Sequence, residues 1–339
     1  MRTVAPPGRL RVFGGLRLSL RTCFLVGFIA VAGCAQNASS VDEPGTSSEP
    51  VPPTALGLGP VGTEDALDVM TWNLEQFPVQ GTSTVAAAAE AILLIKPDVV
   101  AVQEVTDGNA LFDLADAMPG WEADVAAFFD PNGPYNPPVG MLYDTATIEV
   151  NNRFLLFEDD YLAFPRSPLV LEVTWRGVPL VIINVHLKAL GDDRIDWSDP
   201  WDEEVRRARA CERLEQYIYE ELPDRRVIVL GDFNDRLQEP PATNVFSEFF
   251  AWPGYYLFAD MPTAVQTSGG MYSYPKSGSH IDHVLITDEL FMAYFREASF
   301  ARALPVERTL ENGWYQYEAT LSDHRPVLLH LDMGMGQQQ

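Results

Sequence analysis

The sequence predicts an α/β domain built on mixed β-sheets, and three observations carry that prediction. Between about residues 67 and 332, short runs rich in β-branched and aromatic residues alternate with helix-patterned stretches. Two of the runs, 169–175 and 180–185, are separated by little more than Arg176-Gly177, a hairpin signal. Other runs are separated by helical stretches long enough for a crossover between parallel strands. Hairpins and crossovers together imply mixed sheets rather than a doubly wound parallel one.

Taken in order, residues 67–74 read as a strand with Val69, Thr71 and Asn73 on one face. Residues 85–95 are Ala-rich and helical, stopped by Pro97. A buried strand is expected over 98–105, a short helix over 111–118 and a strand over 121–127. Residues 139–143 and 147–151 read as a hairpin, as do 169–175 and 180–185. A charged amphipathic helix covers 202–222, and the strand 226–230 ends in a glycine turn. Strands over 281–286 and 326–331 close the domain.

The residues before the domain have a different chemistry. Residues 1–33 hold Arg2, Arg9, Arg11, Arg17 and Arg21, no acidic residue, and a short apolar run that begins at Cys23. That run is too short to span a bilayer, which takes about 20 apolar residues. A basic start, a short apolar centre and a small-residue exit are the parts of a secretory signal. The exit, Val31-Ala32-Gly33-Cys34, resembles the lipobox of bacterial lipoproteins. By that resemblance Cys34 carries lipid, and the chain is expected outside the cytoplasm, anchored to an outer membrane or cell surface. Residues 35–66, rich in Ser, Pro, Glu and Thr, are expected to form a flexible tether. Residues 333–339 are expected to be a disordered tail.

Composition bounds the function. A chain of 339 residues that is 47% hydrophobic is neither a disordered polymer nor a polytopic membrane protein. Three cysteines cannot build a disulfide scaffold, and Cys211, inside a helical pattern, is expected to be a small buried apolar residue. Without the five arginines of the signal, 18 basic residues face 48 acidic ones, a net charge of −30. Such a surface repels polyanions and argues against a metal-free basic groove for nucleic acid. Phosphodiester chemistry stays open, because a divalent cation reverses the field locally.

The informative residues are polar interruptions at the ends of apolar runs, where loops present side chains to a common cleft. They are Thr71-Trp72-Asn73, Gln103-Glu104, Asn184-Val185-His186, Gly231-Asp232-Phe233-Asn234, Ile281-Asp282-His283 and Ser322-Asp323-His324-Arg325-Pro326. Singly each has an ordinary explanation: a turn amide, a solvated loop carboxylate, a hydrogen-bonded structural histidine. In this order they resemble the endonuclease/exonuclease/phosphatase superfamily, which includes deoxyribonuclease I, neutral sphingomyelinases and inositol-polyphosphate phosphatases. G-D-F-N and S-D-H-R-P are the specific pieces. The resemblance implies a four-layer α/β sandwich of the deoxyribonuclease I kind: two mixed sheets packed face to face with helices outside.

It also implies a divalent-metal-dependent phosphodiester hydrolase. Oxygen ligands suit Mg²⁺, with Mn²⁺ as an alternative. Glu104 is the first ligand expected, with Asn73 and Asp323 beside it. Glu75 shares the Asn73 face if the strand continues, and is expected either near the ligands or on a surface loop. Asp232 is expected to orient or deprotonate the attacking water, with Asn234 donating its amide nearby. His186 and His324 are expected to stabilise charge on phosphorus or supply the leaving-group proton. Asp282 is the expected partner of His324; no carboxylate near 135–138 offers itself to His186. Arg166 resembles a family arginine that touches substrate phosphate.

His280, His283 and His330 are expected to be structural. The acidic stretch 192–204 is expected to lead into a helix N-terminus, with structural Ca²⁺ the lesser reading. The seven aromatics of 246–258 are expected in a core rather than on a membrane-binding or base-stacking surface. The function these readings favour is an extracytoplasmic nuclease, acting as a monomer on nucleic acid. A sphingomyelinase-type phospholipid phosphodiesterase, a phosphoinositide phosphatase and a non-catalytic anchored binding module are the alternatives.

Overall fold

Strand alternation sorts this chain into layers. In a computed structural model describing residues 65–126, 137–266 and 271–334, the first strand turns Met70, Trp72 and Leu74 to one side and Val69 to the other, each into a different core. The signal stretch, Cys34, nearly all of the tether and residues 335–339 lie outside the described residues.

The strands are β1 (Ala66–Phe77), β2 (Val99–Val105), β3 (Trp121–Val125), β4 (Gly140–Asp144), β5 (Ile148–Leu155) and β6 (Leu169–Trp175). They continue with β7 (Val178–His186), β8 (Val227–Asp232), β9 (Tyr256–Phe258), β10 (Asp282–Thr287), β11 (Phe300–Ala303) and β12 (Val327–Asp332). The longer helices are α1 (Thr82–Ile95), α2 (Gly108–Asp116) and α3 (Glu203–Glu221). The shorter ones are α4 (Ser247–Phe250), α5 (Met261–Ala264), α6 (Phe291–Tyr294) and α7 (Gly313–Thr320).

One sheet has the order β11-β12-β1-β2-β4-β3 and the other β5-β6-β7-β8-β10-β9. Each holds one parallel pair, β1 with β2 across α1 and β7 with β8 across α3; the remaining pairs are antiparallel. The sheets bury Val69, Ala101, Ile182, Leu230 and Val284 between them. Outside the first sheet, α1, α2 and α7 cover Met70, Val100 and Leu328. Outside the second, α3 and α4 cover Ile183 and Val229. Helices, sheet, sheet and helices make four layers, the arrangement expected.

One expected element is corrected. Residues 139–143 and 147–151 are not a hairpin: β4 pairs with β2 and β3, whereas β5 pairs with β6 in the other sheet. The turn between them changes sheets, and periodicity cannot distinguish such a turn from a hairpin loop. The 246–258 aromatics are mostly core, with Phe246, Phe249, Tyr256 and Phe258 buried. Cys211 is fully buried, and burial pushes its thiol up. The acidic stretch engages its carboxylates partly with its own backbone and partly with cations, Asp193 with Arg236 and Glu203 with Lys188. Asp196 accepts from Ser198 N–H, Asp199 from Trp201 N–H and Asp202 caps α3 through Val205 N–H. Buried Glu204 accepts the amides of Asp192 and Asp193, each at 2.8 Å.

Three polar side chains sit in the apolar layer between the sheets. Gln103 Nε2 donates to Asn184 Oδ1 at 2.8 Å and to Thr71 Oγ1 at 3.0 Å. Asn184 Nδ2 donates across the interface to the carbonyls of Val102 (3.0 Å) and Gly140 (2.8 Å). All three side chains are completely buried. Asn184→Ala would strand the Gln103 amide and remove a donor from two carbonyls. It is expected to destabilise the domain by about 2–4 kcal/mol, read from urea unfolding, whereas Val178→Thr, at the half-buried start of the same strand, should cost far less.

Candidate active site

The ends of β1, β2, β7 and β8 and the start of β10 meet at one end of the two sheets. Alternation carries Asn73, His186, Asp232 and Asp282 to this end on the face each strand turns toward the other sheet, in phase with Val69, Ile182, Leu230 and Val284. Asn73 Nδ2 donates to Asp232 Oδ2 at 3.0 Å and to Glu104 Oε1 at 3.2 Å. One nitrogen therefore holds carboxylates from both sheets, and the six distant motifs converge.

Glu104 reaches the cleft by another route. Alternation places it with Val100 and Val102, which face the outer core. Its backbone φ of 62° is left-handed, uncommon for a residue with a Cβ, and breaks the alternation. Its second oxygen accepts from Gln76 N–H at 3.1 Å. Glu75 and Gln76 have φ values of 39° and 51°, and the β1–β2 register shifts between Asn73 and Phe77. The strand therefore does not continue with regular alternation to Glu75. Asn73 Oδ1 caps the bulge by accepting from Glu75 N–H at 3.0 Å.

Glu75, Glu104 and Asp323 form the acidic rim. Burial raises the Glu75 pKa, and the charges of Asp323 and Glu104 add to it. Burial also raises that of Asp323, with Glu104 adding to it and His324 opposing. Three hard oxygen donors that repel one another fit a divalent cation, which would relieve the repulsion. Glu104, Asn73, Asp323 and Glu75 are the residues that would hold it.

His324 lies across the cleft. Its Nδ1 pairs with Asp282 Oδ2 at 2.8 Å, the partner expected. Burial disfavours the cation, but Asp282, Asp232 and Asp323 overcome it and push the imidazole up to about 10. The segment 322–324 is fastened from below. Ser322 Oγ donates to Asn73 O at 2.6 Å and accepts from His324 N–H at 2.9 Å. Trp72 Nε1 and Tyr317 Oη donate to the His324 carbonyl at 3.2 and 2.6 Å. Asp232, Asp282 and His324 also bring ligand-type atoms within 4.8 Å of one another. His324 Nδ1 is committed to Asp282, so this trio reads as an ion pair beside a second carboxylate.

Asp232 is pushed up to about 7 by burial and by the Asp282 charge, with His324 and the Asn73 amide pulling the other way. Its Oδ1 accepts from Asn234 N–H at 2.9 Å. Behind it Gly231 adopts a φ of 149°, and a Cβ there would run into the Val185 carbonyl of the parallel neighbour, so only glycine fits. Asn234, at φ 55°, donates its side-chain amide to Leu187 O at 3.2 Å.

His186 is a different histidine. Burial, together with the positive charges of Arg166 and His324, holds it well below the ordinary range, so it is neutral. Its Nε2 is 3.6 Å from Asp232 Oδ2, and among the described residues its buried Nδ1 has no hydrogen-bond partner. Arg166 reaches the same corner, donating to Leu187 O at 3.3 Å.

Two neighbours were missed in the sequence. The Tyr274 ring lies 4.7 Å from the His324 ring, tilted by 34°, and Lys276 carries its charge close to Asp323 and Glu75. Neither sits in a motif or follows an apolar run, so no sequence signal marked them.

The excluded histidines are structural. His330 pairs with Asp68 at 2.7 Å. His283 faces the outer core beside Phe233 and Phe258, with Nδ1 2.6 Å from Asp260 Oδ2 and Nε2 2.9 Å from Asp235 O. Both nitrogens meet acceptors, so the ring is cationic; Asp260 overcomes the burial that opposes this charge. His280 Nδ1 accepts from Ser273 N–H at 3.3 Å, which leaves the proton on Nε2, 3.2 Å from Asp260. His283 and Asp260 therefore form a buried ion pair, and His280 Nε2 lies beside it without hydrogen-bond geometry. Burial opposes the Asp260 charge too, yet the two histidines hold its pKa well below the carboxylate range.

Residues 70–324 match the family model described as "Endonuclease/Exonuclease/phosphatase family". Among solved structures, D. rerio TDP2 complexed with single-strand DNA product is similar at 15% identity and a TM-score of 0.57, covering 79% of this chain and 99% of that one. The human Nocturnin catalytic domain is 18% identical with a TM-score of 0.56, covering 79% and 93%. A family member from Bacteroides thetaiotaomicron is 16% identical with a TM-score of 0.54, covering 78% and 97%. No curated protein matches the chain.

The Asp260–His283 pair gives a stability test. Asp260, depressed when folded, stabilises fully above its unfolded value of about 3.9 and loses that contribution as pH falls below it. His283, raised when folded, stabilises fully below about 6.5 and loses it as pH rises above. Asp260→Asn leaves a buried cation without its counter-ion. It is expected to cost about 3–5 kcal/mol between those pH values, measured by urea unfolding, and less outside them.

Proposed function

Because the chain belongs to the endonuclease/exonuclease/phosphatase family, whose members are metal-dependent phosphodiesterases, nucleases and phosphatases, we propose that it is an extracytoplasmic, metal-dependent nuclease. The observation that carries the reading is the opposed charge state of two histidines in one cleft, beside a buried carboxylate poised near neutrality. Hydrolysis of a phosphodiester needs an activated water, stabilised charge on phosphorus and a proton for the leaving oxygen.

Glu104, Asn73, Asp323 and Glu75 would hold an Mg²⁺ or Mn²⁺, which when bound would supply Lewis acidity. The chain's own groups do the rest. Asp232, fixed through both oxygens by Asn73 and Asn234, takes the proton of the attacking water at a pKa close to working pH. His324 holds a proton on Nε2 because Asp282 engages Nδ1, and presents positive charge to the phosphoryl group and a proton to the leaving oxygen. Neutral His186 orients the phosphoryl group by hydrogen bonding, with Arg166 adding the charge of a nearby guanidinium. Asn234 serves through its backbone N–H, its side-chain amide being turned to Leu187 O.

A phosphoinositide phosphatase needs a basic pocket for clustered phosphates, whereas this rim is built of Glu75, Glu104 and Asp323 with Lys276 and Arg166 as the nearby cations. Fish TDP2, of like fold, was solved with a single-strand DNA product. The aromatic stretch 246–258 is mostly core, and its exposed aromatic side chain, Phe250, lines a groove outside the catalytic cleft, so it offers no lipid-binding wall to the site.

The decisive experiment offers DNA, RNA, sphingomyelin and inositol phosphates to the protein with Mg²⁺, Mn²⁺ or chelator. Hydrolysis of DNA or RNA that chelator abolishes is expected; nuclease activity unchanged in excess chelator would falsify the metal-dependent reading. Sphingomyelin as the sole substrate turned over would replace the nuclease by the phospholipase. Asp282→Asn is expected to lower kcat by about 10²–10⁴-fold with KM little changed. Glu104→Ala should abolish turnover; unchanged turnover in that variant would point away from this cleft.

A further inference from the structure

An apolar groove of about 390 Å³, which the catalytic reading does not use, lies at the far end of the second sheet between α4, β9, α5 and α6. None of its lining residues is charged, in a chain whose net charge is strongly negative. Its rim is unusually exposed for apolar side chains: Phe295 is 67% exposed and Met292, beside it on α6, 82%. Phe250 and Val265 complete the rim.

Strand direction places this groove away from the cleft. β10 begins at Asp282 in the active site and ends at Thr287, which pairs with Tyr256 of the groove wall. α6 follows that end directly. β1 runs the same way in reverse, from Ala66 to Asn73, a span of roughly 20 Å. The chain therefore enters the domain at the groove end. The contacts confirm the neighbourhood: Met333 N–H donates to Asp65 O at 3.2 Å, and Asp332 lies 3.7 Å from Arg296, the residue after Phe295.

We propose that this face docks on the lipid bilayer that anchors the chain through Cys34, and that docking turns the catalytic cleft away from the membrane. The inference rests on the reading of Cys34 as a lipid-bearing residue. The occupant follows from the chain's path. The thirty residues from 35 to 64 join Cys34 to Asp65, and a chain of that length spans at most roughly 100 Å. A tether of that reach holds the exposed apolar rim at high effective concentration beside the bilayer, so a few side chains suffice where a free domain would need many. Because no charged residue lines the groove, the rim can meet the headgroup region without desolvating a carboxylate. The consequence is a choice of substrate source: an outward cleft meets polymers arriving from solution, not the phospholipids of its own membrane.

The test uses the full lipid-bearing chain reconstituted into phosphatidylethanolamine–phosphatidylglycerol vesicles. Cys211 is buried and the Cys34 thiol is taken by lipid, so a cysteine introduced as Met292→Cys or, at the cleft rim, Lys276→Cys carries one fluorophore. Nitroxide-labelled lipids are expected to quench the Met292 probe at least twofold and leave the Lys276 probe unchanged. Phe295→Glu should relieve that quenching while hydrolysis of a soluble oligonucleotide stays within about twofold. Equal quenching of both probes, or a Met292 probe unquenched on floating vesicles, overturns the proposal. A chain that does not float with the vesicles overturns it too. A Met292 probe shielded without any lipid shows that the chain's own segment fills the groove, which also overturns it. Loss of nuclease activity with quenching intact would instead sink the catalytic reading and leave the docking face standing.

Discussion

In the apolar layer between the two sheets, the amides of Gln103 and Asn184 meet at 2.8 Å and Asn184 reaches on to the carbonyls of Val102 and Gly140. Apolar layers are tolerant of sliding, because burial is non-directional. Hydrogen bonds are not, and a buried amide left without its partner is costly. This stitch therefore fixes one sheet against the other one or two residues below the cleft. Glu104 follows Gln103, and His186 lies two residues beyond Asn184 on the same face. The carboxylates and imidazoles of the two sheets are placed by that registration.

The cleft above it concentrates charge that the chain does not neutralise by itself. Asp232, Asp282, Asp323, Glu75 and Glu104 face one cationic histidine, His324, and one neutral one, His186. What separates the histidines is their company. His324 has a carboxylate on Nδ1 at 2.8 Å; buried His186 has the positive charges of Arg166 and His324 nearby. The same residue type is thus cationic in one place and neutral in the other. The uncompensated carboxylates on the remaining side carry a repulsion that a bound divalent cation would relieve.

The fold was largely legible because strands and helices declare themselves by period, and here the periods are clean. The expected strands over 67–74, 98–105, 169–175 and 226–230 all stand, and so do the helices over 85–95 and 202–222. What failed was an assignment of partner rather than of element: β4 and β5 are both strands, yet a three-residue turn carries the chain from one sheet to the other. The short elements α4 to α7, β9 and β11 had no period to declare. They are short pieces of backbone between longer ones, set by packing against the sheets.

The site divides along the same line. Sequence alone determined which chemical groups the cleft has, because Asn73, His186, Asp232 and Asp282 end or begin strongly apolar strands, where alternation fixes the face each side chain takes. It also told His283 from Asp282, neighbours that alternation sends to opposite faces. Only the tertiary structure decided the rest. Glu104 enters the cleft through a left-handed backbone that alternation would have sent outward. Glu75 joins the acidic rim through a bulge. Tyr274 and Lys276 arrive on a loop from outside every motif. The charge of each histidine depends on which groups surround it in space. Backbone turns and electrostatic neighbours are properties of the assembled chain, and a local pattern cannot encode a distance between residues a hundred positions apart.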